Sequence, residues 1–198
     1  MRTSERGENV VKRRTLTREI VLDQANRLIA ERGLENLTIR ALADALEIRP
    51  QSVYNYADSL NDLLDQVGLR FVNKLTDRLM HRLFGVGGKE ALLVFAQEFR
   101  KGCRQEKHLA PILMNPNDLR QLKRTHQALW DLYKQMFESL HVLEGADNQN
   151  LVESTLYRSA LFGFIMQELG GYLKLPQKRI DERFQQMMTL VVDQMTLP

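Results

Sequence analysis

Apolar residues recur at spacings of three and four positions along almost the whole chain, whereas strict apolar–polar alternation is nearly absent. This spacing is that of an amphipathic α-helix, so the pattern predicts an all-α protein. Residues 1–15 are polar and lack the periodicity, and we expect them to form a flexible arm. Capping and stop residues then divide the N-terminal part into four helices. These residues are Thr17, Gly33, Thr38, Pro50 and, before a long fourth helix, Asp58 or Ser59.

A glycine-rich segment at residues 85–88 interrupts the pattern of the fourth helix and separates two parts of the chain. Apolar periodicity resumes behind it in four stretches, which are residues 89–104, 117–141, 150–174 and 177–196. The third helix is expected to end near Ala57. The predicted organisation is a basic arm (1–15), a three-helix helix-turn-helix domain (16–60) and a larger C-terminal helical bundle (61–198).

The stretch from Leu37 to Leu64 has the spacing of a helix-turn-helix, with two short helices about four residues apart. In that motif the second helix enters the major groove of DNA while the first crosses the backbone. The apolar residues that pack the two helices together are Leu42, Ala43, Leu46, Ile48 and Val53. The residues left for solvent or DNA are Thr38, Arg40, Arg49, Gln51, Ser52, Tyr54, Asn55 and Tyr56.

The chemistry of this polar set suits DNA. The amides of Gln51 and Asn55 can pair with adenine edges, and Ser52 can donate to a base or a phosphate. The hydroxyls of Tyr54 and Tyr56 can bind phosphate oxygens. Polarity alone describes the exposed face of a small helical bundle equally well, so both interpretations stay open at this point.

The charge of the chain indicates a polyanionic partner only through its distribution. The formal net charge is +3, but residues 1–18 carry six basic and two acidic side chains, a net of +4. The remainder is close to neutral, so the basicity is a local feature of the N-terminus. Lys12, Arg13 and Arg14 are candidates for contact with a minor groove or with phosphates. The alternative for these three residues is a solvated tail.

Other function classes find little support. The single cysteine, Cys103, excludes an intramolecular disulfide, and no apolar run has the length of a membrane span or a secretory signal. We therefore expect a cytoplasmic protein without membrane contact. The four histidines are scattered without metal-ligand spacing, so neither a metal nor another cofactor is expected. Residues 85–89 lack the first glycine and the Ser or Thr of a phosphate loop, and we expect no enzyme.

The helix-turn-helix stretch resembles the DNA-binding domain of TetR-type transcriptional regulators. Their pattern runs from a Thr-capped helix through a short turn to a tyrosine-bearing recognition helix, followed by an acidic and apolar start to the fourth helix. The matching residues are Thr38, Leu42, Ala43, Leu46, Ile48, Ser52, Tyr54, Tyr56, Asp62 and Leu63. The resemblance covers about residues 16–65. It implies a homodimeric regulator, most simply a repressor, that a small-molecule effector releases from a palindromic operator in double-stranded DNA.

Three positions depart from the family pattern. Glu47 stands where the turn usually has glycine, so it must adopt a left-handed or adjusted conformation at a cost of about 1 kcal/mol. Ala57 replaces the usual aromatic residue, and Leu60 replaces a lysine that commonly meets a phosphate. Further along, residues 158–171 resemble the signature of a subgroup named for Trp, His and Gly, with Phe162 in place of its histidine.

The resemblance also implies an effector cavity in the helical bundle, where aromatic and methionine residues recur at helical spacing. The candidate wall residues are Phe95, Phe99, Cys103, Trp130, Tyr133 and Phe162. Residues of these types at this spacing also form ordinary cores, and both interpretations stay open for each of them.

The last two predicted helices each have an apolar face, which fits either a monomer core or a dimer interface. The resemblance implies the dimer, with a four-helix bundle contributed by both protomers. The candidate interface residues are Leu161, Ile165, Phe184, Met188 and Val191. Dimerisation would place the two recognition helices roughly 34 Å apart, one turn of DNA. Two alternatives remain, an activator or effector-free regulator of the same fold and a helical interaction protein without a DNA role.

Overall fold

The computed structural model describes residues 16–114, 120–140 and 148–196, with the backbone alone for residues 148–151. The predicted arm, residues 1–15, lies outside the described residues. In the described ranges the chain forms nine α-helices, one short 3-10 helix and no strand, which confirms the all-α fold. The α-helices are α1 (Arg18–Arg32), α2 (Ile39–Ala45), α3 (Pro50–Val53), α4 (Leu60–Leu83), α5 (Gly88–Gln105), α6 (Ala110–Met114), α7 (Lys123–Ser139), α8 (Asn148–Leu169) and α9 (Gln177–Asp193).

Side-chain caps fix the starts of three helices in the N-terminal part. The hydroxyls of Thr17 and Thr38 accept hydrogen bonds from backbone amides in the first turns of α1 and α2, at 3.3 and 3.0 Å. Ser59, rather than Asp58, caps α4 by accepting a hydrogen bond from the amide of Asp62 at 3.0 Å. Each hydroxyl satisfies an amide that has no partner within its helix, so the predicted cap positions are confirmed.

Helix α4 is the longest element and joins the small N-terminal unit to the bundle. It packs against α1 on one side and against α5 and α7 on the other. Phe71 and Leu75 lie on its buried face. A Cβ atom at Gly68 would lie only 2.5 Å from the hydroxyl oxygen of Thr125, so glycine is what lets α4 and α7 approach each other here. The junction between the two parts is therefore tightly packed.

Some helix boundaries differ from the predicted ones. α3 ends at Val53, before the predicted end near residue 57. α6 has no counterpart in the prediction, which placed no helix between residues 104 and 117. Pro111 lies in the first turn of α6, where proline is tolerated. α8 ends at Leu169 instead of 174, since two glycines follow and Gly171 adopts a left-handed φ of 72°.

Helices α8 and α9 pack against each other and against α5 within one chain. Four residues predicted for the dimer interface are buried in this packing: Leu161, Ile165, Phe184 and Met188 are at most 2% exposed. Their own chain already covers these four side chains, so they offer little surface to a second copy in this packing, and the location of the interface stays a prediction. Val191 is only partly buried.

Candidate nucleic-acid interface and ligand cleft

The turn between α2 and α3 is built around Glu47, whose φ of 56° lies in the left-handed region. No other non-glycine residue in the described ranges has a positive φ. The amide of Ile48 donates to the carbonyl of Ala43 at 3.0 Å and closes the end of α2. Leu42 and Val53 are fully buried between the two helices. These contacts fix α3 against α2 and leave its other face open.

Most of the residues predicted to bind DNA are exposed, either around α3 or at the start of α2. Those exposed are Thr38, Arg40, Arg49, Gln51, Tyr54 and Asn55, and Ser52 is half-buried. Apart from Thr38, which caps α2, none of these side chains has a hydrogen bond or ion pair with a described residue. Tyr54 is the aromatic residue of this set, and 52% of its surface is exposed. The face therefore offers free donors for phosphates and amides for base edges.

Tyr56 differs from the sequence prediction. Its hydroxyl donates to the carbonyl of Leu16 at 3.0 Å, and its own carbonyl accepts from the amide group of Gln66 at 2.9 Å. Tyr56 thus ties the start of α1 to the end of the recognition segment instead of presenting its hydroxyl to a phosphate. The predicted contacts of Lys12, Arg13 and Arg14 lie outside the described residues.

A cleft of about 310 Å³ opens in the bundle between α6, α7 and α8. Its walls are Leu113, Met114, His126, Leu129, Trp130, Tyr133, Arg158, Phe162 and Met166. Three of the predicted wall residues, Trp130, Tyr133 and Phe162, therefore lie together at one cleft. Its volume is at the small end of the range of about 300–1,000 Å³ for small-molecule sites, and its lining is mostly apolar as in such sites.

The other three predicted wall residues do not line the cleft. Phe95, Phe99 and Cys103 are fully buried. Phe99 lies behind the wall, with ring centroids 5.8 Å from Tyr133 and 5.7 Å from Phe162. These three side chains form the packed layer that supports the wall, and the structure does not bring them to the cleft surface.

Sequence reasoning missed the one cation of the cleft, Arg158. Its guanidinium carbon lies 5.8 Å from the ring centroid of Trp130, within the range of a cation–π contact. Its Nε donates to the carbonyl of Ser154 at 3.2 Å, and no carboxylate of a described residue pairs with it. A signal existed in the sequence, since Arg158 stands one helical turn before Phe162 on an otherwise apolar helix segment.

A polar joint connects the cleft helix α7 to the start of α4. The guanidinium of Arg124 bonds to the carboxylates of Asp62 and Asp65, with the Asp65 contact at 2.9 Å. The amide and hydroxyl of the buried Thr125 both donate to Asp65 Oδ1, at 2.9 and 2.8 Å. Burial raises the pKa of Asp65, but the hydrogen bonds from Arg124 and Thr125 outweigh it and hold that pKa below its usual value.

The described part of the chain shows little sign of other chemistry. It contains no group of three His, Cys, Asp or Glu side chains that could hold a metal ion. Burial raises the pKa of the Cys103 thiol, which removes the thiolate that redox chemistry needs. Within these ranges no helix is both long and apolar enough to cross a bilayer.

Comparison with known proteins identifies the N-terminal region. Residues 21–67 match the model of bacterial regulatory proteins of the tetR family. In sequence, the chain is 32% identical over 93 residues to the HTH-type transcriptional regulator Rv0681 of Mycobacterium tuberculosis, a match that covers 47% of this chain and 43% of that protein. The chain thus matches less than half the length of the relatives found by sequence.

The structural matches extend over the whole fold. FadR from Bacillus subtilis, in complex with stearoyl-CoA, superposes with a TM-score of 0.67 at 13% identity, over 87% of this chain and 96% of that one. TetR from Acinetobacter baumannii, in complex with minocycline, gives 0.61 at 15% identity, over 90% and 95% of the two chains. At this identity the likeness establishes a common all-α fold, with an N-terminal helix-turn-helix and a larger C-terminal bundle.

Proposed function

We propose that the chain, whose residues 21–67 match the model of bacterial regulatory proteins of the tetR family, is a homodimeric, ligand-responsive transcriptional repressor of that family. The observation that carries the proposal is the outer face of α3, where a tightly packed helix-turn-helix presents unpaired polar side chains. In this proposal the protein binds a palindromic operator and acts in the cytoplasm without catalysing a reaction.

The DNA contacts divide into two kinds. Gln51 and Asn55 read base edges, since amide side chains can pair with adenine in the major groove. Tyr54, together with Arg40 and Arg49 beside it, binds phosphates and sets the register on the duplex. Thr38 and Ser52 supply further hydroxyls, and the arm residues Lys12, Arg13 and Arg14 extend the contact.

The dimer forms through an exposed apolar stripe on α8 and α9 rather than through the buried residues named above. Val152, Leu156 and Met166 are exposed along α8, and Leu190 on α9 is 68% exposed. A Cβ atom added at Gly163, within the α8 stripe, would touch nothing, so a partner helix can approach closely there. Val191 is adjacent to Leu190 and contributes at the edge. A two-fold axis through this stripe makes an isologous interface.

The effector occupies the cleft between α6, α7 and α8, and the joint to α4 carries its effect. Two structural neighbours are seen in complex with small molecules, stearoyl-CoA and minocycline, which supports a ligand-binding role for a bundle of this fold. A ligand that favours one position of α7 moves α4 through Arg124, Thr125 and Asp65, and α4 moves the recognition helices. Their separation then no longer fits the operator.

Selection of binding sites from a random pool of double-stranded DNA tests the proposal. We expect a palindromic consensus, with two half-sites about one helical turn apart. Tyr54→Ala should weaken binding to the selected site in a gel shift. Tyr172→Ala, which removes another exposed tyrosine at the far end of α8, is the matched control and should leave binding unchanged.

The outcomes separate the proposal from its alternatives. Failure to enrich any sequence would favour a helical interaction protein without a DNA role. An enriched site from which no small molecule releases the protein would favour an effector-free regulator. In transcription with purified components, a repressor lowers the output from the selected site and an activator raises it.

A further inference from the structure

The proposed function does not specify which class of ligand the cleft binds, and the polarity of the cleft walls bears on that question. Its walls are mostly apolar side chains, with His126 and a single permanent cation, Arg158. Two other arginines of the bundle are paired: Arg100 bonds Glu168 and Asp181, both at 2.6 Å, and Arg104 lies near the same two carboxylates. Arg158 has no carboxylate partner among the described residues.

The guanidinium of Arg158 is positioned to pair with an anion bound in the cleft. Only its Nε is occupied by a hydrogen bond within the described part of the chain, at Ser154. Both terminal nitrogens are therefore free for the paired N–H···O bonds that guanidinium makes with carboxylate. The half-buried position beside Trp130 reduces screening by water and strengthens such a bond.

A second polar group at the cleft also has no partner. The hydroxyl of Tyr133, a wall residue, is buried and has no hydrogen-bond partner among the described residues. The neighbouring Tyr157 is equally buried, yet its hydroxyl donates to the carbonyl of Leu92 at 2.7 Å. Buried hydroxyls normally have a partner. The Tyr133 oxygen is closed off from the cleft as well as from solvent, so only the Tyr133 ring forms part of the wall.

We infer, on the premise of the proposed effector function, that the ligand of this cleft is an apolar monocarboxylic acid whose carboxylate pairs with Arg158. Its hydrocarbon body lies against Trp130, Phe162 and Met166. One cation matches one negative charge, which favours a carboxylate over a multiply charged phosphate or nucleotide. The volume of about 310 Å³ favours a small acid over a large conjugate.

Trp130 makes the test direct, because it is the only tryptophan of the chain and lines the cleft. The probes are octanoate and 4-phenylbutyrate, each compared with its neutral primary amide. Binding is followed by Trp130 fluorescence on the full-length protein without DNA, and calorimetry gives an independent value. We expect each acid to bind about tenfold or more tightly than its amide, since a charge-assisted bidentate contact is lost in the amide.

Variants of the two polar groups identify the contacts. Arg158→Gln should remove the preference for acid over amide, and Arg158→Lys should restore part of it. Tyr133→Phe should leave acid binding unchanged, because its hydroxyl is closed off from the cleft. The matched controls, Arg179→Gln on an exposed turn of α9 and Tyr157→Phe in the core, should keep the preference, and thermal unfolding checks that every variant is folded.

The inference is overturned if the amides bind as tightly as the acids, if Arg158→Gln keeps the preference, or if neither acid binds at millimolar concentration. Because these measurements contain no DNA, they are independent of the proposed function. A gel shift with the selected operator then asks separately whether a bound acid releases DNA. Acid binding without any DNA binding would leave the inference standing and refute the regulator.

Discussion

Tyr133 and Tyr157 pack against the same ring, that of Phe95, but only Tyr157 has a partner for its hydroxyl. Their ring centroids lie 5.3 and 6.4 Å from that of Phe95. The Tyr157 hydroxyl donates to Leu92, whereas the Tyr133 hydroxyl has no partner among the described residues. Two tyrosines in one aromatic cluster therefore have opposite roles, one stabilising the core and one held at a cost to stability.

We predict that removing the two hydroxyls has opposite effects on stability. Tyr157→Phe should lower the free energy of unfolding by about 1 kcal/mol, because a buried hydrogen bond is lost. Tyr133→Phe should leave it unchanged or raise it by up to about 1 kcal/mol, because an unpaired buried hydroxyl is removed. Urea unfolding with equal slopes measures both values. A loss of stability in Tyr133→Phe equal to that in Tyr157→Phe would show that its hydroxyl has a partner within the chain.

Much of the N-terminal fold follows from the sequence because its signals are local. Thr38 and Ser59 each cap a helix by bonding an amide three residues away, so neighbouring residues decide the outcome. Glu47 in the turn takes the left-handed conformation that its position requires. The missing helix α6 shows the limit of such signals, because Pro111 both breaks helices and begins them.

The cleft follows from the sequence only in part, because a wall residue and a core residue have the same local pattern. Phe99 and Phe162 are both aromatic residues at helical spacing, and only the packing of α5 behind α7 and α8 buries the first and exposes the second to the cleft. The same holds for Phe184, which α5 and α8 cover. The sequence did not predict Arg158 as an unpaired cation of the cleft, because this role depends on the absence of a nearby carboxylate in the folded chain.

Replacing Glu47 with glycine should stabilise the small domain. Glycine adopts the observed φ of 56° without the steric cost of a Cβ atom, and the gain should exceed the entropy that glycine adds to the unfolded chain, by about 0.5–1 kcal/mol. Asp44→Gly, in the neighbouring helix α2, is the control and should lower stability by about 0.3–0.5 kcal/mol. Thermal unfolding followed by circular dichroism compares the two. A lower midpoint for Glu47→Gly would indicate that the glutamate side chain makes a stabilising contact.

A charge placed in the exposed stripe of α8 and α9 should dissociate the proposed dimer. Leu156→Arg and Leu190→Arg each place two like charges across a two-fold interface, where desolvation and repulsion both oppose association. Phe84→Arg, at a 91% exposed position beyond α4, is the matched control and should remain dimeric. Size-exclusion chromatography with light scattering measures the mass. Dimers of normal mass in both stripe variants would place the interface elsewhere.

The joint between α4 and α7 should make stability depend on acid pH. Hydrogen bonds and the Arg124 charge hold the pKa values of Asp62 and Asp65 below their usual value, against the opposing effect of burial. Groups with a lowered folded pKa contribute stability above their unfolded pKa, near 4, and lose it as pH falls through the folded value. Unfolding free energies between about pH 5 and pH 2 should therefore fall less steeply in Asp65→Asn than in the wild type. Equal slopes would mean that Asp65 does not contribute.

The same joint should transmit the effect of a ligand in the cleft to the affinity of the protein for operator DNA. Arg124→Gln removes the bonds to Asp62 and Asp65 but leaves the cleft walls, which begin one residue beyond Thr125, in place. Ligand binding measured by Trp130 fluorescence should stay within about twofold of wild type. The factor by which the ligand weakens operator binding, of the order of 5–150 in coupled systems, should fall several-fold.

Coupling is reciprocal, so the factor by which operator DNA weakens ligand binding should fall to the same extent. Measuring that factor gives a second, independent value for the coupling. Arg82→Gln, which breaks the ion pair of the exposed Arg82 with the buried Glu98 away from the joint, should leave both factors unchanged. Full coupling in Arg124→Gln would mean that the signal travels by another route, such as the packing of Phe71 and Leu75 against the bundle.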